Sequence, residues 1–278
     1  MIDQIAEICR ISREAGAAIL AIYARTDHGV ETKSDDSPLT AADMAAHRII
    51  VSGLEACFPD IPVLSEESGE IDYETRAAWS RYFLVDPLDG TKEFISRNGE
   101  FTVNIALVEN GLPRLGVVYV PVKDLLYVGY DLEGEKAAYV EQAGQRKAIR
   151  TRALADHLAA GEALTLVASR RHGGEALEAC MAVLSRHFDK IDTTNMGSSL
   201  KLCLVAEGKA DLYPRLAPTS EWDTAAAHAI VAAAGGSVVD TSLAPLRYNT
   251  RPSLLNPHFF VLGDPGYPWL DLLADVSA

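Results

Sequence analysis

Apolar residues recur at helical spacing over residues 2–24, which predicts an amphipathic helix at the start of the chain. A second helix is predicted for residues 40–58. Short apolar strands follow at residues 61–64 and 82–85, and each of them ends in acidic residues. The polar ends of these two strands are therefore the first candidates for chemistry.

The rest of the first half alternates in the manner of an antiparallel meander with short turns. The predicted strands are residues 101–108, 115–120, 125–130, 136–140 and 147–149. The second half instead alternates strands with helices, as layered α/β proteins do. Its predicted strands are residues 164–168, 188–192, 210–213, 237–240 and 259–262, and its predicted helices are residues 174–187, 198–207, 221–234 and a C-terminal helix. We expect an α+β half (1–150) and an α/β half (151–278) that pack closely as one body.

The composition limits the partners. With 48% hydrophobic and 23% charged residues among 278, the chain has the profile of a soluble globular protein. Its 25 Lys and Arg against 39 Asp and Glu give a net charge of −14. This balance disfavours nucleic-acid polymers and anionic membranes. A small phosphate ester is still an acceptable ligand where metal ions or local Lys and Arg offset the charge.

The four cysteines have no paired spacing, which indicates free thiols and a reducing compartment. No signal peptide and no apolar run of the roughly 20 residues needed for a membrane span are present. We therefore expect a cytoplasmic protein without an integral membrane segment.

Acidic residues follow both early strands. Glu66 and Glu67 follow residues 61–64, and Asp86 and Asp89 flank the Pro-Leu of a predicted rigid turn after residues 82–85. The carboxyl ends of strands are where open α/β sheets bind ligands. These acids are also compatible with ordinary solvated turns.

Two further acids begin predicted helices. Asp43 is three residues after Thr40 in a capping-box-like pair, and Asp223 follows Trp222, whose ring would fix the first helical turn. Helix-dipole stabilisation explains both acids equally well. If they converge with the strand-end acids, the carboxylates of Glu66, Asp86, Asp89 and Asp223 form the hard-oxygen set that Mg²⁺ prefers. Asp86 is then the natural bridging ligand, and without cations the acids would raise one another's pKa values.

The motifs Glu66-Glu67, Asp86-Pro87-Leu88-Asp89-Gly90-Thr91 and Trp222-Asp223 resemble the metal-binding signatures of the inositol monophosphatase superfamily, which comprises magnesium-dependent, lithium-sensitive phosphatases. The resemblance runs nearly from end to end and implies a layered αβαβα sugar-phosphatase fold. Residues 90–95, 97–107, 197–201 and 213–215 are similar to the bisphosphate nucleotidase branch of that superfamily.

The resemblance also implies roles for individual residues. It adds the carbonyl of Leu88 to the ligands of two or three Mg²⁺ ions. It pairs Thr91 with Asp43 to orient and deprotonate the attacking water, and it leaves Glu67 to orient a second water or to support Glu66.

Substrate contacts are likewise implied by the resemblance. Gly90 and Thr91 offer N–H groups to the scissile phosphate, and Lys201 and Arg215 would bind a second phosphate. Four residues keep two interpretations: Ser198 and Ser199 as donors or helix caps, Lys92 as a substrate contact or an ion-pair partner, and His172 as functional or structural. Arg171 departs from the branch's pattern beside His172.

The implied activity is hydrolysis of the 3′-phosphate of 3′-phosphoadenosine 5′-phosphate to AMP, with 3′-phosphoadenosine 5′-phosphosulfate as a second substrate. An inositol or sugar monophosphatase is the alternative within enzymes, and a catalytically silent nucleotide or metal sensor is the alternative outside them. Relatives also imply association with the cytoplasmic face of the inner membrane. The sequence contains no feature from which an oligomeric state is predicted.

Overall fold

The computed structural model describes residues 1–25, 31–32, 38–39, 41–168, 174–273 and 276. Within these ranges the chain forms a seven-stranded sheet, a five-stranded sheet and a two-stranded ribbon, β1 (Glu31–Thr32) with β2 (Pro38–Leu39). The strands of the seven-stranded sheet, in spatial order, are β3 (Val63–Ser65), β4 (Arg81–Asp89), β5 (Thr102–Glu109), β6 (Leu112–Val120), β7 (Leu125–Leu132), β8 (Glu135–Gln142) and β9 (Gln145–Ala148). Strands β3 and β4 are parallel, and the remaining pairs are antiparallel.

The five-stranded sheet has the order β11–β10–β12–β14–β13. Its strands are β10 (Leu164–Ala168), β11 (Ile191–Asn195), β12 (Leu212–Arg215), β13 (Ser237–Asp240) and β14 (Phe259–Leu262). The helices of the described residues are α1 (Ile5–Tyr23), α2 (Ala41–Cys57), α3 (Tyr73–Ala77), α4 (Thr91–Ile95), α5 (Leu154–Ala159), α6 (Glu175–Leu184), α7 (Leu200–Ala206), α8 (Glu221–Ala234) and α9 (Trp269–Leu273).

Alternation along the strands builds the layers. On β4, Phe83 and Val85 pack with α1 and α2, whereas Tyr82 and Leu84 pack with α8 on the other face. Strand β14 likewise has two buried faces. One face packs with α7 and α8, and the other packs with α5, α6 and α9. The order of layers is therefore helix, sheet, helix, sheet, helix, which confirms the predicted αβαβα fold. The core around α8 contains residues from both predicted halves, and the boundary near residue 150 stays a prediction.

Helix α8 approaches the large sheet closely because two paired glycines lie beneath it. Gly116 of β6 is opposite Gly129 of β7. A Cβ on Gly116 would lie 1.9 Å from the carbonyl oxygen of Ala226, and one on Gly129 would lie 2.4 Å from the Cα of Ile230. Only glycine permits this approach, which also sets the depth of Asp223 at the first turn of α8.

Several predicted strand boundaries differ from the structure, among them the start of β6 and both ends of β12, and two of the differences have a clear physical reason. The strand that was expected to stop before Asp86 continues to Asp89, because its pairing with β5 resumes after an irregularity. The strand expected at residues 188–192 begins at Ile191 instead, since Phe188 still bonds back to Leu184 at the end of α6. Helices α3, α4 and α5 were not predicted, because five or six residues carry too little periodic signal.

Gly116→Ala is expected to lower the free energy of unfolding by at least about 2 kcal/mol, because the added methyl group overlaps backbone atoms of α8. Urea unfolding followed by circular dichroism measures the change. Gly69→Ala is the matched control, since no atom lies within 4 Å of a Cβ at that position. Equal stability of the two variants would contradict the close contact.

Candidate metal and phosphate site

A bulge in β4 directs Asp86 and Asp89 to one face of the sheet. Asp86 pairs with Asn104 of β5 and Asp89 with Thr102, so three steps along β4 match two along β5. In a regular strand, residues three apart point to opposite faces. The extra residue of the bulge brings the side chains of Asp86 and Asp89 back to the same face. Pro87 lies within the bulge, where a missing backbone N–H is tolerated.

Asp86 lies at the centre of the acidic cluster. Its side chain is buried, and burial raises its pKa well above the ordinary value. Four neighbouring carboxylates raise the pKa further, in decreasing order Glu66, Asp89, Asp223 and Asp43. Glu66 is brought to this place by its own N–H, which donates to the carbonyl of Val85 at 3.0 Å and extends the parallel pairing of β3 with β4.

Asp89 is held by donors on one oxygen. Its Oδ2 accepts from the Ser199 N–H at 2.5 Å, from Asn104 Nδ2 at 3.3 Å and from Thr102 Oγ1 at 3.4 Å. Burial raises the pKa of Asp89, and the positive charge of Lys201 opposes this increase. Because a carboxylate has about four lone pairs on two oxygens, Asp89 retains the capacity to bind a metal.

Asp223 occupies the third position of α8 in a capping box with Ser220. Its Oδ2 accepts from the Ser220 N–H at 2.8 Å. Burial raises the pKa of Asp223 to about 8, with contributions from Asp89 and Glu66. The helix-start interpretation and the ligand interpretation therefore apply to the same side chain.

The predicted water-orienting pair is close. Thr91, the first residue of α4, is 3.4 Å from Asp43 through Oγ1 and Oδ1, and Asp43 is buried. The same Oγ1 is 3.5 Å from the Leu88 carbonyl oxygen, which places three predicted site residues in contact. Thr40, expected to cap α2 beside Asp43, lies outside the described residues.

The carboxylate of Glu67 is close enough to His47 to influence its charge. Burial lowers the pKa of His47, and the Glu67 carboxylate opposes that decrease. The His47 ring also contacts Ser65 Oγ, with 2.9 Å between Nδ1 and the oxygen.

Two cations line the cavity that contains the acids. The cavity measures about 740 Å³ and its walls include Asp89, Asp223, Lys201 and Arg215. Lys201 and Arg215 are both only 9% exposed. Burial lowers the pKa of Lys201, and the nearby charge of Arg215 lowers it further while Asp89 opposes both. Arg215 Nη2 donates to the Pro218 carbonyl at 2.9 Å, but its buried Nε has no partner.

The remaining predicted substrate contacts differ in position. Gly90 adopts a left-handed φ of 92° before α4, and Lys92 is an exposed residue of the cavity wall. Ser198 also lines the cavity. Ser199 is buried, and its hydroxyl donates to Asn104 Oδ1 at 2.9 Å instead of capping α7, so the capping interpretation is wrong for Ser199. His172 and Arg171 lie outside the described residues.

Sequence reasoning missed Thr102 and Asn104. Both are buried polar residues on β5, alternating with the apolar Val103 and Ile105. Their side chains bind Asp89 and Ser199. The available signal was a pair of polar residues at alternate positions near the start of an otherwise apolar strand.

The acidic cluster fits a divalent cation. One oxygen from each of Asp86, Asp89 and Asp223 lies within 4.8 Å of the others. Two oxygens bound to one Mg²⁺ or Ca²⁺ at about 2.0–2.6 Å are at most about 5 Å apart. Burial and the neighbouring carboxylates raise the pKa values of Asp86 and Asp223, and a bound cation would stabilise the charged form of both side chains. A layered αβαβα fold with such a cluster beside buried cations defines the class of metal-dependent phosphatases.

Comparison with known proteins identifies the family. The model of the Inositol monophosphatase family matches residues 1–260, and the chain belongs to this family. It is 50% identical over 94% of its length to the 3′(2′),5′-bisphosphate nucleotidase CysQ of Escherichia coli K12, covering 99% of that protein. It is 51% identical over 92% of its length to the protein of the same name from Salmonella typhimurium, covering 98% of it.

A solved structure agrees with this assignment. The crystal structure of CysQ from Bacteroides thetaiotaomicron has a TM-score of 0.79 and 44% sequence identity, covering 94% of this chain and 97% of that one. Among the described residues, every helix is too short or too polar to cross a membrane.

The metal-free protein is expected to lose stability as the pH rises from 5 to 8. The folded-state pKa of Asp223, about 8, is above its ordinary value of 3.8, so the folded state binds more protons than the unfolded state in this window. The stabilisation is complete below pH 3.8 and is lost as the pH rises through 8.

Thermal melts with chelator, compared with those of Asp223→Asn, measure this contribution. We expect the wild type to lose on the order of 2 kcal/mol more than the variant between pH 5 and 8. The variant also controls for other groups, such as His228, whose pKa burial lowers to about 3. Parallel pH profiles of the wild type and Asp223→Asn would refute the assignment of this pH dependence to Asp223.

Proposed function

We propose that this protein is a Mg²⁺-dependent 3′(2′),5′-bisphosphate nucleotidase, which hydrolyses the 3′-phosphate of 3′-phosphoadenosine 5′-phosphate to give AMP and phosphate. The observation that carries the proposal is a cavity whose wall includes both Asp89 and Asp223 of the acidic cluster and two buried cations, Lys201 and Arg215. The names of relatives 50% and 51% identical support the same activity. The phosphosulfate analogue is a second substrate, because it shares the 3′-phosphate and has an anionic 5′ group.

The metal ligands in this proposal are the carboxylates of Glu66, Asp86, Asp89 and Asp223 with the carbonyl of Leu88. When bound there, Mg²⁺ would neutralise charge on the phosphate oxygens and make water a better nucleophile at neutral pH. Asp86 would be the residue best placed to hold more than one cation, since four other acids surround it. The hydrogen bonds to Asp89 Oδ2 and Asp223 Oδ2 fix the orientation of both carboxylates.

Thr91 and Asp43 orient the attacking water. The Thr91 hydroxyl accepts a hydrogen bond from water and passes its own proton toward Asp43 Oδ1, 3.4 Å away. The water oxygen forms the new P–O bond as the bond from phosphorus to the 3′-oxygen breaks, and the 3′-oxygen takes up a proton. Glu67 supports Glu66 from the neighbouring position, and the N–H groups of Gly90 and Thr91 donate to the scissile phosphate.

Lys201 and Arg215 bind the 5′ anion. Burial and the nearby charge of Arg215 both lower the pKa of Lys201, so this buried pair of cations is costly unless an anion lies beside it. The unpartnered Nε of Arg215 leaves a donor for such an anion. A monophosphate substrate has no second phosphate to satisfy this pair, which favours the nucleotide over an inositol phosphate. Ser198 and Lys92 contact the substrate from the cavity wall. His172 is a further substrate contact, and Ser199 contributes through its N–H bond to Asp89.

The substrate assay tests the activity. Phosphate release is expected from 3′-phosphoadenosine 5′-phosphate with Mg²⁺, with about 10- to 100-fold lower kcat/KM for inositol 1-phosphate, since one charged contact of about 1.5–3 kcal/mol is lost. Chelator should abolish both rates. Metal-dependent turnover of inositol 1-phosphate alone would favour the monophosphatase alternative, and binding without turnover would favour the sensor.

Lys201→Ala is expected to raise KM for the bisphosphate about 10- to 100-fold with a smaller change in kcat, because the lost contact acts on the 5′-phosphate. The rate with adenosine 3′-monophosphate, which lacks that phosphate, should change little. Lys209→Ala is the matched control, because Lys209 is exposed and pairs with Glu207. Equal loss for both substrates would contradict the 5′-phosphate assignment.

The cytoplasmic location stays a prediction.

A further inference from the structure

The side chain of Asn256 contacts the turn that carries Asp223. Its Nδ2 is 2.7 Å from the carbonyl oxygen of Ser220 and 3.1 Å from each of the hydroxyls of Thr219 and Thr224. The Asn256 backbone N–H also donates to the Thr219 carbonyl at 2.7 Å. Asn256 is only 8% exposed, whereas Thr219, Asp223 and Thr224 line the active-site cavity. One buried amide therefore bonds to residues on both sides of Asp223.

The orientation of this amide follows from its partners. A carbonyl oxygen can only accept, so the Asn256 atom that faces Ser220 must be the Nδ2 donor. One of its two hydrogens is given to Ser220, and the other is shared by the two threonine hydroxyls. The opposite atom, Oδ1, is buried without a partner in the structure. Keeping this amide buried despite that cost indicates that its donors are needed.

A second chain of hydrogen bonds reaches the same turn from the interior of α8. The Tyr248 hydroxyl donates to Thr224 Oγ1 at 3.1 Å, and the Thr224 hydroxyl donates to the Glu221 carbonyl at 3.2 Å. Since Tyr248 has one hydroxyl hydrogen, it must accept from His228 Nδ1, 3.0 Å away. The direction of every bond is thus fixed, and Thr224 Oγ1 is the point where the chain from His228 and the amide of Asn256 meet.

We propose that Asn256 is a positioning residue for Asp223. Its Nδ2 holds Thr219, Ser220 and Thr224 in one arrangement, and that arrangement keeps the Ser220 N–H on Asp223 Oδ2. The carboxylate of Asp223 is then held in one side-chain conformation, with its remaining lone pairs available to a cation in the acidic cluster. This inference rests on the proposed role of Asp223 as a metal ligand.

Direct binding of Mn²⁺, measured by electron paramagnetic resonance without substrate, tests the proposal. Mn²⁺ takes oxygen ligands of the same kind as Mg²⁺. Asn256→Ala and Asn256→Asp are both expected to weaken binding about tenfold, as loss of a residue that orients a ligand does. The Asp variant keeps the size of the side chain and replaces the donor by an acceptor, so it separates hydrogen bonding from packing. In activity assays, both variants should need more Mg²⁺ for half-maximal rate while KM for the nucleotide at saturating Mg²⁺ stays near the wild-type value.

Three controls make the outcome decisive. Val239→Ala, in β13 and in another core, is expected to lower the melting temperature and leave Mn²⁺ binding unchanged. Tyr248→Phe removes the other donor to Thr224 and keeps the ring, and it should weaken Mn²⁺ binding by a smaller factor. This variant tests the positioning role even where an Asn256 variant fails to fold. Asp223→Asn should lose binding. Normal binding by Asp223→Asn would overturn the metal site itself, whereas normal binding by the Asn256 variants and by Tyr248→Phe, with loss in Asp223→Asn, would overturn only the positioning role.

Discussion

Repulsion among buried carboxylates is the constraint on which the rest of this structure depends. Burial and four neighbouring acids raise the pKa of Asp86 well above its ordinary value. A fold driven by stability alone would separate these groups, because charge buried without a partner is costly. The surrounding elements instead hold them together: the bulge in β4, the end of β3 and the first turn of α8. The proposed Mg²⁺ ions would offset that cost, because they would bind among the same carboxylates.

The way that α8 meets the sheet shows how this cost is carried. Asp223 can reach Asp86 and Asp89 only if the helix lies close to the strands, and the paired glycines Gly116 and Gly129 allow that distance. The buried alanines of α8 are small, and they pack in a core that contains residues of both sheets. Packing of small residues thereby sets the position of a charged one. The same helix packs against α7, which carries Lys201.

Much of this arrangement could be predicted from sequence, and the exceptions have physical reasons. The long periodic helices and the apolar strands were predictable because their patterns extend over many residues. The acids Glu66, Asp86 and Asp89 were found from their position after apolar strands. The bulge was not, since Asp-Pro-Leu-Asp-Gly is equally suited to a turn, and only pairing with Thr102 and Asn104 decides between the two. Polar interruptions such as these two mark positions of interest on the strand but do not identify their partners, because one partner, Ser199, is distant in the sequence.

Asp223 illustrates why the structural and chemical interpretations of an acid need not compete. Its Oδ2 completes the capping box with the Ser220 N–H, which accounts for an acid at this position without any metal. Yet the same bond is what fixes the carboxylate plane, and a ligand that already has one fixed oxygen loses less conformational freedom on binding a cation. The cap therefore serves the site. For the same reason, residues that stabilise the cap from behind, with no contact to metal or substrate, are expected to act on metal affinity before they act on the chemical step.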